Sequence, residues 1–187
     1  MLAMIIPGNG NAKMTEIWYP YIKNELEKLG LVVISKEMPD PYIAREKYWI
    51  PFIEKNITET AKTDDKIILI GHSSGAVAIM RFLEAHKIEG CILIGACYTD
   101  LGDQNEKASG YYNRSWEWNK IKQNSKWISV FASTDDDFIP IAEARHIKDQ
   151  LNADYHEFND RGHFMDDKFP ELLDLVKRKL KAKNEDN

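Results

Sequence analysis

Residues 67–80 read IILIGHSSGAVAIM. Four aliphatic residues run into Gly71-His72-Ser73-Ser74-Gly75, and a helical stretch of small and apolar residues, AVAIMRFLEAH, follows. The five residues fit G-x-S-x-G, and the strand before and helix after supply the context that gives the pattern meaning. In such an elbow the serine sits on a strained strand-to-helix turn, and its hydroxyl projects above the carboxyl edge of a sheet. The flanking glycines are needed because a Cβ there would collide with the neighbouring strand or helix. The new helix also offers unpaired backbone N–H groups beside Ser73, with the Ser74 N–H as one candidate donor to an oxyanion. The plainer alternative is a structural turn with incidental serines. The flanking elements favour the elbow.

Working outward, four more apolar runs predict strands: MIIP (4–7), LVVIS (31–35), GCILIGA (90–96) and WISVFAS (127–133). Near-continuous Ile, Val and Leu is how strands covered on both faces read. A sixth run, DYHEF (154–158), is more polar and predicts an edge strand. Helical patterns lie between them. Residues 16–30 place Ile22, Leu26 and Leu29 on one face and stop at Gly30; 140–151 open on Pro140; 169–180 put Leu172, Leu173, Val176 and Leu180 on one stripe. Strand alternating with helix predicts an α/β fold: one domain over 1–181, about six mostly parallel strands, helices on both faces. Residues 182–187 are expected to form a flexible tail. The connection 98–126 breaks the rhythm. It is long and rich in Tyr, Trp, Gly and Asn, which marks it as a functional insertion near the site. Aromatic residues line pockets and cores alike. Of the two, a substrate-facing role is the expectation for Trp18, Tyr111 and Trp116.

The composition bounds the function. With 187 residues, 43% apolar and 29% charged, the chain can bury a core of its own. A net charge of −5 argues against a nucleic-acid partner, and no apolar run approaches the length of a membrane span. The N-terminus lacks the basic segment and cleavage site of a secretory signal. Cys91 and Cys97 fall in or beside one apolar strand, so buried thiols and a cytoplasmic location are expected. Neither they nor the histidines show the spacing of a metal site, and no cofactor is implied.

A serine hydroxyl needs a base, and the base an orienting acid, which in this topology follow in the order Ser, Asp or Glu, His. Among the downstream histidines, His86 and His146 fall in helical patterns and His156 in the edge strand. His163, in NDRGHF, sits in a Gly-containing loop after the last strand, where the base should be. FASTDDDFIP ends another strand and offers Asp135, Asp136 and Asp137. Counting back from Pro140, the D-x-x-I-P spacing favours Asp136, with Asp135 second. The remaining oxyanion donor is expected from PGNGNA (7–12), through the N–H of Asn9 or Gly10. That loop also opens like a dinucleotide fingerprint, but Lys13 stands where a small residue is required.

These residues together resemble the small retinoblastoma-binding serine hydrolases of the α/β-hydrolase superfamily. The likeness runs through IIPGNG (5–10), WY (18–19), KNELEK (23–28), MPDP (38–41), ARE (44–46), LIGHSSGA (69–76), LGDQNEKASGYY (101–112), the W-E-W of 116–118, STDD (133–136) and GHF (162–164). It implies a Ser73–Asp136–His163 triad, little or no cap, and hydrolysis of small ester, amide or short peptide substrates, aminopeptidase-like activity included. The chain departs from that group's name in one respect. It carries no Leu-x-Cys-x-Glu, since Glu89 and Gly95 stand two residues before its cysteines. A retinoblastoma-type partner therefore finds no support. The alternative on the same fold is a catalytically silent interaction module, because fold alone does not fix function.

Overall fold

The structure, a computed structural model, describes residues 1–185. Six strands form one sheet: β1 (Leu2–Ile6), β2 (Val32–Ile34), β3 (Ile67–His72), β4 (Ile88–Ile94), β5 (Ser125–Ser133) and β6 (Asp154–Phe158). Their order is β2-β1-β3-β4-β5-β6, and every neighbouring pair is parallel. The chain leaves β1 toward one edge and returns beside it as β3, so the β1 and β3 loops diverge at a topological switch point. Open α/β sheets hold their ligands in such crevices.

Alternation along the strands supplies two cores. Leu2, Met4, Ile6, Leu69, Cys91, Leu93 and Val130 face one side, where they pack with α2 (Glu46–Thr60), α3 (Ser74–Leu83) and α6 (Ile141–Leu151). Ala3, Ile5, Ile68, Ile70, Ile92 and Phe131 face the other, against α1 (Tyr19–Lys28) and α7 (Pro170–Glu185). This is the doubly covered parallel sheet that the unbroken aliphatic runs predict.

Three details depart from the sequence reading. The LVVIS run yields a strand of only three residues at an outer edge, where Val32 is exposed rather than covered. Helix α2 has no counterpart among the expected helices: Pro51 interrupts its pattern, although Trp49, Ile53 and Ile57 still share a buried face. Helix α7 runs to Glu185, past the expected boundary at 181. Residues 186 and 187 of the expected tail lie outside the described residues.

The 98–126 connection contains two short helices, α4 (Gln104–Ser109) and α5 (Trp118–Gln123). It is fastened to α3 by Arg81, whose buried guanidinium donates to the carbonyls of Tyr111, Arg114 and Ser115 and lies 3.6 Å from the Trp116 ring centroid. Several backbone carbonyls that would otherwise be stranded in a loop are thereby satisfied. Among the described residues no helix is long and apolar enough to cross a membrane.

Candidate active site

Ser73 follows β3 directly with φ 54° and ψ −121°, a conformation that a residue with a side chain adopts only where its surroundings enforce it. Its N–H donates to the Ile94 carbonyl at 2.8 Å, and α3 begins at the next residue. The flanking glycines are sterically required. A Cβ on Gly71 would lie 2.6 Å from the Ala76 nitrogen, and one on Gly75 only 2.2 Å from the Ile6 carbonyl oxygen. The first turn of α3 is therefore seated directly on the end of β1, with no room for a methyl group between them.

The loop after β1 passes equally close. A Cβ on Gly8 would stand 3.3 Å from the Ser73 Cβ. Here the backbone amides have distinct fates. Gly8 N–H donates to the Tyr19 hydroxyl at 3.3 Å, and Gly10 N–H to the Tyr42 carbonyl at 3.3 Å. Asn9 N–H between them has no hydrogen-bond partner among the described residues. Of the two sequence candidates, Asn9 is thus the amide left available, and Gly10 is committed elsewhere. Ser74 N–H, at the first position of α3, has no acceptor within its own helix. The Asn9 side chain is held as well, donating to Glu106 Oε1 at 2.8 Å.

His163 lies in the loop between β6 and α7, and its Nδ1 meets Asp136 Oδ2 at 2.7 Å. The other Asp136 oxygen accepts from the N–H groups of Phe138 and Ile139 at 2.8 and 3.0 Å. Burial alone would raise this carboxyl's pKa. The His163 hydrogen bond and the two amides outweigh burial and hold it below the usual range. Its neighbours differ. Asp135 accepts from the Ser133 hydroxyl and from Gly162 N–H, which ties down the histidine loop, while Asp137 is exposed. Asp136 is the carboxylate of the three that reaches the imidazole. Gly95, at φ 56°, leaves space for that ring, since a Cβ there would lie 3.0 Å from His163 Cε1.

Ser73 and His163 line one cavity of about 660 Å³. Among the described residues no hydrogen bond joins their side chains. Such contacts are often long before substrate arrives and tighten in the complex. The other histidines downstream of Ser73 are occupied elsewhere: His86 stacks on Phe82, His146 on Tyr98 and His156 on Phe131. Among the described residues no three His, Cys, Asp or Glu side chains gather to hold a metal ion.

The aromatic residues expected to face substrate lie elsewhere. Trp18 is fully buried and donates its indole N–H to the Phe164 carbonyl at 2.9 Å. Tyr111 is fully buried in the core beneath the 98–126 connection. Trp116 covers Arg81 and donates to the Tyr98 carbonyl at 2.8 Å. None of the three lines the cavity. Large rings here fill the space between elements, and periodicity could not separate that role from a pocket wall. From the 98–126 connection the cavity instead takes Leu101, Asp103, Asn105 and Glu106. Glu106 went unnoticed in the sequence reading, as did Tyr19 and His72, which sit beside or inside the motifs singled out there.

A family model described as serine hydrolase matches residues 3–180. Serine hydrolase RBBP9 of Rattus norvegicus is 46% identical to this chain, over 95% of each. The crystal structure of the ydeN gene product from B. subtilis superposes with a TM-score of 0.85 at 26% identity, covering 96% of this chain and 98% of its own. Est1E from Butyrivibrio proteoclasticus, solved with ferulic acid, matches at a TM-score of 0.79 and 13% identity, over 97% of this chain and 88% of its own, a likeness of fold.

Proposed function

Because the chain belongs to the serine hydrolase family and has the α/β-hydrolase fold, we propose that it cleaves small aminoacyl amides, esters or short peptides through an acyl-enzyme on Ser73. His163 Nε2 takes the hydroxyl proton as Ser73 Oγ attacks the substrate carbonyl. Asp136, hydrogen-bonded to Nδ1–H, fixes the tautomer that leaves Nε2 free to accept. The carbonyl electrons move onto oxygen, where the N–H groups of Ser74 and Asn9 meet the developing charge. His163 then gives its proton to the leaving nitrogen or oxygen, and the scissile bond breaks. In the second half a water loses its proton to His163 and attacks the acyl carbon. The carboxylic acid departs as the proton returns to Ser73.

The observation that carries this reading is the forced backbone of Ser73 sharing a cavity with an imidazole already paired to a buried carboxylate. Treatment with a fluorophosphonate probe tests it. Parent protein is expected to label stoichiometrically and Ser73→Ala not at all. Labelling that persists in Ser73→Ala would place the nucleophile elsewhere, whereas a parent that neither labels nor turns over any p-nitrophenyl ester or aminoacyl amide would leave the silent interaction module as the better account.

The aminoacyl preference rests on charge. Glu16, Asp103 and Glu106 line the cavity, and no lysine or arginine among the described residues does. A cavity with acidic walls concentrates cationic groups, such as a free α-amine. Ile17, Leu101, Phe138 and Met165 add apolar surface, with Phe138 and Met165 exposed at the mouth. Aminoacyl coumarin amides should be cleaved faster than their N-acetylated forms, in which the charge is gone. Equal rates would refute the amine preference while leaving the Ser73 chemistry untouched.

A further inference from the structure

His72 precedes the nucleophile, is buried, and has both ring nitrogens engaged. Its Nδ1 lies 2.7 Å from the Tyr19 hydroxyl and its Nε2 lies 2.8 Å from the main-chain carbonyl of His163. A carbonyl oxygen can only accept, so Nε2 carries a proton and donates it. Burial, reinforced by the neighbouring His163 side chain, pulls the His72 pKa down to about 3, against the smaller opposing pulls of the hydrogen bond to the His163 carbonyl and of Asp136. The ring is therefore neutral with a single N–H, and Nδ1 must be the acceptor. Tyr19 then donates its O–H to Nδ1, and its oxygen accepts the Gly8 N–H. Every proton has one consistent place. The bonds run in one direction from Gly8 N–H to the Tyr19 hydroxyl, to His72, to the His163 carbonyl.

The two ends of this chain lie in the two loops that flank the nucleophile, the one after β1 and the one after β6. Gly8 N–H belongs to the peptide next to the Asn9 amide. The His163 carbonyl belongs to the residue that bears the base, whose imidazole packs at 4.9 Å between ring centroids from that of His72. Neighbouring contacts show the same restraint: Trp18 holds the next carbonyl, that of Phe164, which itself sits at φ 57°. We propose that Tyr19 and His72 are positioning residues that couple the oxyanion loop to the loop of the base through the residue that precedes the nucleophile. Neither is a catalytic residue. Chained hydrogen bonds polarise one another, so losing one member relaxes both ends. The proposal rests on reading His163 as the base.

The test is a double-mutant cycle of parent, Tyr19→Phe, His72→Phe and the double variant, with kcat and KM measured on p-nitrophenyl acetate and melting temperatures recorded alongside. Removing the Tyr19 hydroxyl should lower kcat on the order of 30-fold, with KM within about two-fold of parent. In the His72→Phe background the same change should cost less than about three-fold, because the chain is already broken. A merely structural role would lower the melting temperature and leave kcat of the folded protein alone. A kcat within about three-fold of parent for Tyr19→Phe, or effects that multiply in the double variant, would overturn the coupling. Should His72→Phe fail to fold, Tyr19→Phe decides the matter by itself. Ser73→Ala, run in parallel, separates the outcomes: if it still turns over ester, the reading of the site fails, whereas normal Tyr19→Phe beside inert Ser73→Ala sinks the coupling alone.

Discussion

The cavity has two walls made in different ways. One is assembled from the ends of β1, β3, β5 and β6, where glycines pack so closely that an added Cβ would stand 2.2–3.3 Å from its neighbours and a chain of hydrogen bonds holds the loops. The other is the 98–126 connection, which follows β4, is fastened through Arg81, and contributes carboxylates to the cavity. The first wall has almost no freedom, because sheet register sets its positions and there is no room for an added methyl. The second has more room to vary in chemistry at its cavity-facing positions, since Arg81 holds it through backbone carbonyls and the Trp116 ring rather than through the carboxylates that line the cavity. Under the proposed mechanism, bond breaking falls to the first wall and choice of substrate to the second. Substitutions in the first should therefore damage every substrate equally, and substitutions in the second only some.

The sharpest version of that contrast sets two neighbouring aspartates against each other. Asp136→Asn should lower kcat by roughly 10⁴-fold on esters and aminoacyl amides alike, because an amide there no longer enforces the imidazole tautomer. Asp135→Asn should cost far less, since this carboxylate bonds Ser133 and Gly162 and does not reach His163. Steady-state kinetics of both variants on one ester and one amide measures the difference. Comparable losses would mean that the acid is not singled out by its contact with His163. The depressed Asp136 pKa carries a stability consequence of definite sign. Its contribution is fully present above the unfolded carboxylate range, near about 3.9, and disappears as pH falls through the lower folded value.

Gly75→Ala is expected to come next, at about 100-fold in kcat on every substrate. The added methyl would stand 2.2 Å from the Ile6 carbonyl and 2.6 Å from that of Pro7, so the start of the oxyanion loop must move. Misplacement of about 1 Å in such a group costs a factor of this order. Overpacking should also lower stability by roughly 1–3 kcal/mol, readable by denaturant melts. Unchanged kinetics with lowered stability would show that the first wall tolerates displacement, and the contrast between the walls would blur.

How much of this was legible in the sequence follows the same division. The first wall could be read nearly residue by residue, because each part obeys a local rule: an aliphatic run, a G-x-S-x-G turn, a proline after an aspartate loop. Ser73, Asp136 and His163 follow from those rules, whereas the strand order that sets their loops side by side does not. What local rules could not give was which amide of the β1 loop stays free. That depends on Tyr42 and Tyr19, brought in from other parts of the chain. The second wall was misread. Tryptophan and tyrosine in 98–126 suggested a substrate surface, whereas Arg81, a residue of α3, draws Trp116 and the backbone around Tyr111 inward. The carboxylates left facing the cavity carry no periodic signature at all.

Glu106 is where the second wall can be tested with the least disturbance. Its two oxygens accept from Asn9 Nδ2 at 2.8 Å and from the Tyr112 hydroxyl at 3.1 Å. Burial, only partly offset by those two donors, raises its pKa above the ordinary value. Glu106→Gln keeps the shape and the oxygen that holds Asn9, but removes the charge. Turnover of aminoacyl amides should fall about ten-fold, chiefly through KM, while p-nitrophenyl acetate is hydrolysed as before. Stability should move the other way. A carboxyl whose folded pKa exceeds its unfolded value leaves the protein less stable as pH rises from about 4.3 through the folded value, because the native state then carries a charge it solvates poorly. The glutamine variant should therefore melt higher than parent at neutral pH, and that advantage should vanish below about pH 4. A variant that is both more stable and less selective would identify the charge as kept for the substrate's amine. One that loses ester and amide turnover together would place Glu106 with the first wall, as a support for Asn9.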